Sequence, residues 1–454
     1  MSDIRFNRWL HQSGTGGVYQ DSAGNVGIGT SVPTTLLDIQ GGNIKIGSNT
    51  LSSSGVSTFS NIVATSGSLT GITTIGVTTV TATSLNVNGN DYPSAGPLSN
   101  RNLIINGDMK VSQRGISTTG LTGNYNDYTT LDRYRFENYN DGGTNTSVWS
   151  MEQSTDAPTG FSNSLKLTAT TADADYGSGS SQTNVHTRLE AQNLQHLKYG
   201  NASAENLTLS FWVKSSVTGT YLIWFYQDDD GRHCTKTYTI NAANTWEYKT
   251  VTISGDTTGV IDNDNGLGLH VRWLLATGST FTSGTYLDGS WANFTNADTY
   301  AGHAVNVASS TNNTFYLTGV QLEVGTVATP FEHRSYGDEL ARCQRYYQGM
   351  DTRTESAAYH CFGTSHFTSA TTAFGIMPFA TEMRIRPTSI DTSAANTFFL
   401  IGITNFTTIT IDQVSRTSGI ILFSGGSGGW TNYRSERWLS NNNNTAYCFF
   451  NAEL

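Results

Sequence analysis

Apolar and polar residues alternate with period two along several stretches of the chain. Leu207-Thr-Leu209-Ser-Phe211-Trp-Val213 does so cleanly, Tyr248-Lys-Thr-Val251-Thr-Ile253 approximately, and Phe315-Tyr-Leu317-Thr-Gly-Val320-Gln-Leu322 follows. Strand side chains point to opposite faces in turn, so each stretch predicts a strand with one face on a core. Polar clusters at Val217-Thr-Gly219, Asp228-Asp-Asp-Gly231 and Asp262-Asn-Asp-Asn-Gly266 predict the turns between them. Many strands joined this way predict an antiparallel β-sandwich, a jelly roll, in the middle of the chain. A short helix is expected over 188–199, where Leu189, Leu194 and Leu197 share a face. A second is expected from Gly337, with Asp338 and Glu339 favouring its start and Leu340, Cys343 and Tyr347 on one side. Further strands at 398–401, 408–411, 419–423 and 446–450 predict a small β-rich domain, with 424–430 and Asn441–Asn444 as exposed loops.

The first hundred residues carry a different rhythm. From Ile75 through Val77, Val80, Ala82 and Leu85 to Val87, the gaps alternate between two and three. Such a stripe fits neither a helix nor a lone strand, but several chains wound about one axis can bury it. A flexible Ser/Thr linker is the competing reading. Tyr92-Pro-Ser-Ala-Gly-Pro97 reads as a hinge. The expected division is therefore 1–20 as an attachment segment, 21–97 as a fibrous β shaft and hinge, 98–335 as the jelly roll, and 336–454 as the β-rich tip. The predicted fold class is mainly β.

Composition narrows the chemistry. Charged residues are 13% of the 454, and 47 Gly stand beside 7 Pro, a loop-rich β composition. A net charge of −10 argues against a nucleic-acid partner, which needs a basic face. The longest unbroken apolar run, Tyr221-Leu-Ile-Trp-Phe-Tyr226, falls short of the ~20 residues that span a bilayer, so no membrane insertion is expected. The opening Met1-Ser-Asp-Ile-Arg-Phe6 has no apolar signal region, and the chain is expected to fold in the cytosol. Cys234, Cys343, Cys361 and Cys448 are too scattered for a zinc site or a disulfide framework. Asp262–Gly266 approaches a calcium loop, but its glycine comes early and Trp273 replaces the closing Glu. Structural Ca²⁺ there or at Asp228–Asp230 is the one cofactor left open. Catalytic motifs are missing, and the carboxylate pairs Asp173/Asp175 and Glu332/Asp338 do not stand out, so a non-enzymatic protein is expected.

A wider pattern then emerges. Arg101-Asn-Leu-Ile-Ile-Asn-Gly-Asp108, Gln113-Arg-Gly115 and Leu131-Asp-Arg-Tyr134 resemble the opening of a jelly-roll module of bacteriophage tail fibres. The resemblance continues through Arg188-Leu-Glu190, Ser210–Lys214, Asn244–Glu247, Leu317–Glu323 and Ala328–Glu332. Cys343-Gln-Arg-Tyr-Tyr347, Met383-Arg384, Arg386-Pro-Thr388 and Ala452-Glu-Leu454 resemble a C-terminal module that accompanies it, and Gly24–Thr30 resembles the shaft entry of cyanophage fibres. The resemblance implies a homotrimer in the virion tail, made in the host cytoplasm and attached to other tail proteins by its N-terminus. Its β domains would bind a host surface glycan, lipopolysaccharide first among them, through a carbohydrate-binding-like sandwich. A virion appendage without a receptor and a glycan depolymerase are the alternatives.

Glycan recognition needs an aromatic platform with planar polar groups beside it. Trp430, Tyr433, Arg434, Trp438, Asn441 and Asn442 form the first candidate cluster, with core or trimer packing as the rival reading for the two tryptophans. Trp291, Phe294 and Tyr300 form a second. Trp212, Trp224, Trp246 and Trp273 fall in or beside strand patterns and are expected in the core. Ile4, Phe6, Trp9 and Leu10 make an apolar end suited either to docking on another virion protein or to packing within a trimer.

Overall fold

The computed structural model describes residues 8–10, 17–28, 30–32, 34, 36–39, 85–87, 90–92, 100–140, 145–176, 179–369, 371–400, 406–425, 434–442 and 444–454. They fall into two units, Met1–Val80 and Thr81–Leu454.

In the first unit, strands Arg8–Leu10, Gly17–Gln20 and Val26–Ile28 pair antiparallel, and Leu37–Ile39 adds to the last in parallel. The turn between the second and third strands is organised by Asp21, whose Oδ1 accepts from the backbone N–H groups of Ala23 and Asn25, 2.9 Å each. Gly24 there has φ +86°, a conformation that costs a glycine little. Trp9 and Leu10 lie in the first strand, while Ile4 and Phe6 lie outside the described residues. So does most of the five-residue repeat; its end forms a hairpin of Leu85–Val87 with Asn90–Tyr92, in the second unit.

The second unit is built mainly of β-strands. A six-stranded sheet runs in the order Glu247–Ile253, Leu207–Ser215, Thr314–Val324, Ser164–Thr171, Val148–Ser154, Ser117–Leu121. A seven-stranded sheet faces it in the order Trp291–Asn293, Arg232–Ile240, Gly219–Gln227, Leu267–Thr277, Gln182–Glu190, Arg135–Tyr139, Tyr125–Tyr128. Every pairing is antiparallel. Phe211, Tyr221, Phe225, Trp149 and Trp273 fill the space between the sheets, Phe211 meeting Trp273 edge-on at 5.8 Å. The expected helix over 188–199 is instead the end of strand Gln182–Glu190 followed by the 3₁₀ turn Ala191–Leu197, whose Ala191, Leu194 and Leu197 are buried. Four residues between Leu189 and Leu194 left the first leucine on the strand.

After the sandwich comes the helix Tyr336–Gln344, with Ser335 as its N-cap accepting from the Asp338 N–H. Tyr347 falls beyond it, in strand Tyr347–Asp351. That strand joins Tyr447–Asn451 and Ser389–Thr392 in a three-stranded sheet. A six-stranded sheet follows the order Phe398–Leu400, Ser435–Ser440, Cys361–Ser369, Thr372–Pro378, Ser418–Ser424, Thr408–Val414. Phe362, Phe367, Phe398, Phe423, Trp438 and Phe450 form its core.

Candidate functional site

The strand Gly219–Gln227 carries the longest apolar run of the chain, and the register explains why the run does not alternate. Tyr221, Ile223 and Phe225 point into the sandwich core, while Leu222, Trp224 and Tyr226 point outward. A strand apolar on both faces has both faces in use. On the outer face Trp224 and Tyr226 stack at 4.8 Å with an interplanar angle of 12°. Phe294, Tyr300 and Phe281 come from the loops after the long strand Leu267–Thr277: Phe294 lies edge-on to Tyr226 at 5.6 Å, and Tyr300 edge-on to Trp224 at 6.3 Å. Trp224 and Tyr300 are buried, whereas Tyr226 is half-buried and Phe294 is 40% exposed. The platform thus offers the rings of Tyr226 and Phe294 to solvent over a packed aromatic base.

Polar groups flank it. The Arg272 guanidinium lies 4.8 Å from the Trp224 ring and donates through Nη1 to Tyr300 Oη (2.8 Å) and Gln182 Oε1 (3.3 Å). Its Nη2 stands 3.2 Å from Glu137 Oε2; burial weakens the charge, but Glu137 and Tyr300 together outweigh it and hold the guanidinium pKa above its usual value. Trp224 Nε1–H donates to His233 Nδ1 at 3.1 Å. His270 lies beside Tyr226 (5.6 Å, edge-on), with Asp228 Oδ1 3.9 Å from its Nε2. Burial pushes the His270 imidazole down to about 4, Asp228 pulling upward and Arg188 and Arg272 pushing further down. Its interaction with His270 in turn holds Asp228 below the usual carboxylate range.

The second expected cluster is split by this arrangement. Phe294 and Tyr300 reach the platform, Tyr300 as a buried support and not as a contact surface. Trp291 goes to the other side of the sheet, edge-on to Tyr199 at 5.6 Å, with its Nε1–H donating to Ser254 O. The first expected cluster does not assemble among the described residues. Trp438 has no exposed surface and packs against Phe362, Phe398 and Phe423 at 5.1–5.9 Å, which makes it a core residue; a ring so enclosed cannot stack on a sugar. Arg434 is exposed and pairs with Glu436 at 2.5 Å. Asn441 and Asn442 are exposed beyond the far end of the Ser435–Ser440 strand from Arg434, a strand that spans about 20 Å at ~3.3 Å per residue. Trp430 and Tyr433 lie outside the described residues.

Trp224 is buried, as its strand position predicts, but in a separate apolar cluster with Leu222, Leu274 and Tyr300 on the outer face of its sheet. Tyr226, His270 and Arg272 were missed altogether. The one sequence signal for this face is the unbroken apolar run Tyr221–Tyr226, which marks a strand apolar on both sides. The acidic turn beside it is engaged within the protein: Asp229 and Asp230 accept from the backbone N–H groups of Asp262 (2.9 Å) and Val260 (2.6 Å). No group of three or more potential metal ligands occurs among the described residues. Asp173 accepts from the Thr146 N–H, Glu332 from the Asn102 N–H, and Asp338 sits in the first turn of the helix against Ser335 Oγ.

No protein-family model and no curated protein matches the chain. Solved structures that it resembles include the enzymatically active domain of tailspike protein 4 of bacteriophage CBA120, at 12% identity and a TM-score of 0.26 over 52% of this chain. That match spans 24% of the tailspike domain, so the likeness reaches about a quarter of its length. A family 4 carbohydrate-binding module is matched at 12% identity over 48% of this chain and 98% of the module, TM-score 0.25. A family 11 module from Clostridium thermocellum, solved with a β-1,3-1,4-mixed-linked tetrasaccharide, is matched at 13% identity over 48% and 98%, TM-score 0.23.

Proposed function

We propose that this chain is a non-enzymatic tail-fibre adhesin of a bacteriophage that binds a host surface glycan through the outer face of its seven-stranded sheet. The observation that carries the reading is the half-exposed pair Tyr226 and Phe294, seated on Trp224 and Tyr300 and flanked by Arg272, His270 and Asp228. Sugar rings present C–H faces that gain by covering an aromatic ring, and hydroxyl groups that bind planar polar side chains; this face supplies both. The order of motifs from Arg101 to Leu454 supports the tail-fibre context, with a homotrimer, attachment to the tail through the N-terminal residues and lipopolysaccharide as the first glycan to test. Three modest sites on one fibre raise avidity without a deep pocket in any one chain.

The test is adsorption. Purified protein should coat host cells and compete with phage for them, without releasing reducing ends from the bound polysaccharide. Tyr226→Ala should weaken cell binding at least about tenfold, the loss of roughly 1.4 kcal/mol of stacking per site. Unchanged adsorption by that variant, with its fold intact by circular dichroism, would exclude this face as the receptor site.

A further inference from the structure

The register of the seven-stranded sheet puts six Arg and His side chains into two adjacent rows on its outer face. One row runs Arg135, His186, Arg272, Trp224, because Arg135 pairs with His186, His186 with Arg272, and Arg272 with Trp224. The next runs Arg188, His270, Tyr226, His233 by the same rule. Every one of the six leaves a buried ring or guanidinium nitrogen without a hydrogen-bond partner: Nε of Arg135, Arg188 and Arg272, Nε2 of His186 and His233, and both ring nitrogens of His270. His186, His233, His270 and Arg272 are each more than nine-tenths buried.

The hydrogen bonds fix what these orphans offer. Trp224 donates to His233 Nδ1, so the neutral ring carries its proton on Nε2. Asn184 donates through Nδ2 to Glu137 and therefore turns Oδ1 to His186 Nδ1, leaving Nε2 of that ring as the orphan. Three guanidinium N–H groups and the His233 Nε2–H are thus donors with nothing to bind, and His270 has only Asp228, 3.9 Å from its Nε2 and beyond hydrogen-bond distance. A buried donor left this way loses its water partners and gains none in return. Against them stand two carboxylates, Glu137 and Asp228. Glu137 is already engaged by Gln182, Asn184 and Arg272, and Asp228 is more than half exposed at the edge. Arg135 and Arg188 are themselves half-buried, with one Nη each turned to a backbone oxygen, of Asn126 and of Leu454. In a chain of net charge −10, this is a local excess of cations and donors.

We propose that the face selects a glycan carrying an oxyanion on the sugar, a carboxylate or a phosphate, with the pyranose ring on Tyr226 and Phe294 and the anion toward Arg188, His270 and Arg272. This deepens the glycan-binding reading and rests on it. An oxyanion is an acceptor-only group that answers the unpaired donors with charge-assisted hydrogen bonds, which a neutral hydroxyl cannot match.

The experiment is calorimetric titration of the full chain with oligogalacturonate, oligoalginate and a phosphomannan oligosaccharide, each beside its neutral form, carboxyl-reduced or dephosphorylated. The acidic form should bind at least about tenfold more tightly than its neutral partner. Arg188→Gln and His270→Gln should erase that preference, and Arg135→Gln, nearer the surface, should reduce it in a chain that folds normally. Tyr226→Ala should weaken acidic and neutral forms alike. Preference for uronates or for the phosphorylated sugar alone identifies the source of the oxyanion and supports the proposal. Equal binding of acidic and neutral forms, sensitive to Tyr226→Ala, overturns it while the glycan reading stands. Absence of binding to every oligosaccharide overturns both.

Discussion

Trp224 and Trp438 both sit in strands, yet one braces the outer face of a sheet and the other is sealed in a core. The difference lies in their neighbours: Trp224 follows Leu222 and precedes Tyr226 on one face, backed by an equally apolar inner face. His270 extends the contrast, because its ring is held on that outer face between Tyr226 and Arg188 on the neighbouring strands, near His186, Trp224, Arg272 and Asp228. Burial pushes its pKa down to about 4, below the ordinary imidazole value of 6.5, so on acidification the unfolded chain takes the proton first. The sign follows directly. Stability is intact above about pH 6.5 and is lost progressively as pH falls toward about 4, by a total on the order of 3 kcal/mol for this group. Urea midpoints taken near neutrality and near pH 5 should therefore drop less in His270→Gln than in the parent chain. An equal drop in both would show that His270 titrates normally in the fold.

At the scale of elements, the strands were legible wherever one face met a core and the other met water. Leu207–Ser215 and Thr314–Val324 follow their alternation, and the turn clusters fall between strands as polar Gly/Asx sequences require. What escaped was any element whose meaning depends on a distant partner. Residues 188–199 have leucines spaced for a helix, but His270, Leu269 and Val271 pair with Arg188, Leu189 and Thr187, and the ladder overrides local spacing until Glu190. The platform escaped for the same reason, since Phe294 and Tyr300 meet Trp224 only through loops some seventy residues on. The helix Tyr336–Gln344 was legible because its signals are local: Ser335 caps it and Asp338 and Glu339 lie in its first turn. Ser335→Ala removes the acceptor for the Asp338 N–H, and should lower stability by about 1 kcal/mol in chemical denaturation. Glycan binding at the sandwich should be untouched. A loss of less than about 0.3 kcal/mol would mean that water or Asp338 replaces the cap.

At the scale of the whole second unit, the motifs that carry the tail-fibre resemblance converge on one seam between the sandwich and the sheets that follow it. Glu453 binds Arg133 and, at 3.2 Å, Arg114 Nη2, and all three side chains are buried. Arg133 lies 3.5 Å over the Tyr346 ring and Arg114 3.6 Å over Tyr347, while Arg345 pairs with Glu190 at 2.6 Å. Arg384 donates to the carbonyls of Ala452, Glu453 and Asn265, tying the last residues to the sandwich loop. Leu131–Tyr134, Cys343–Tyr347 and Ala452–Leu454 thus owe their residue types to a joint, and a joint made of buried charges is intolerant of losing one partner. Glu453→Ala leaves the buried Arg133 without its carboxylate and Arg114 with Asp132 alone, at 3.8 Å. It should cost about 3–5 kcal/mol. Because the lost contacts are those that couple the two halves, the effect should change the form of unfolding as well as its midpoint. Scanning calorimetry of the intact chain should show the sandwich and the following sheets melting together, and the Glu453→Ala chain should resolve them into two transitions. If the parent already melts in two separate steps, the seam transmits no stability, and the sandwich is joined to the sheets that follow it by the chain connection alone.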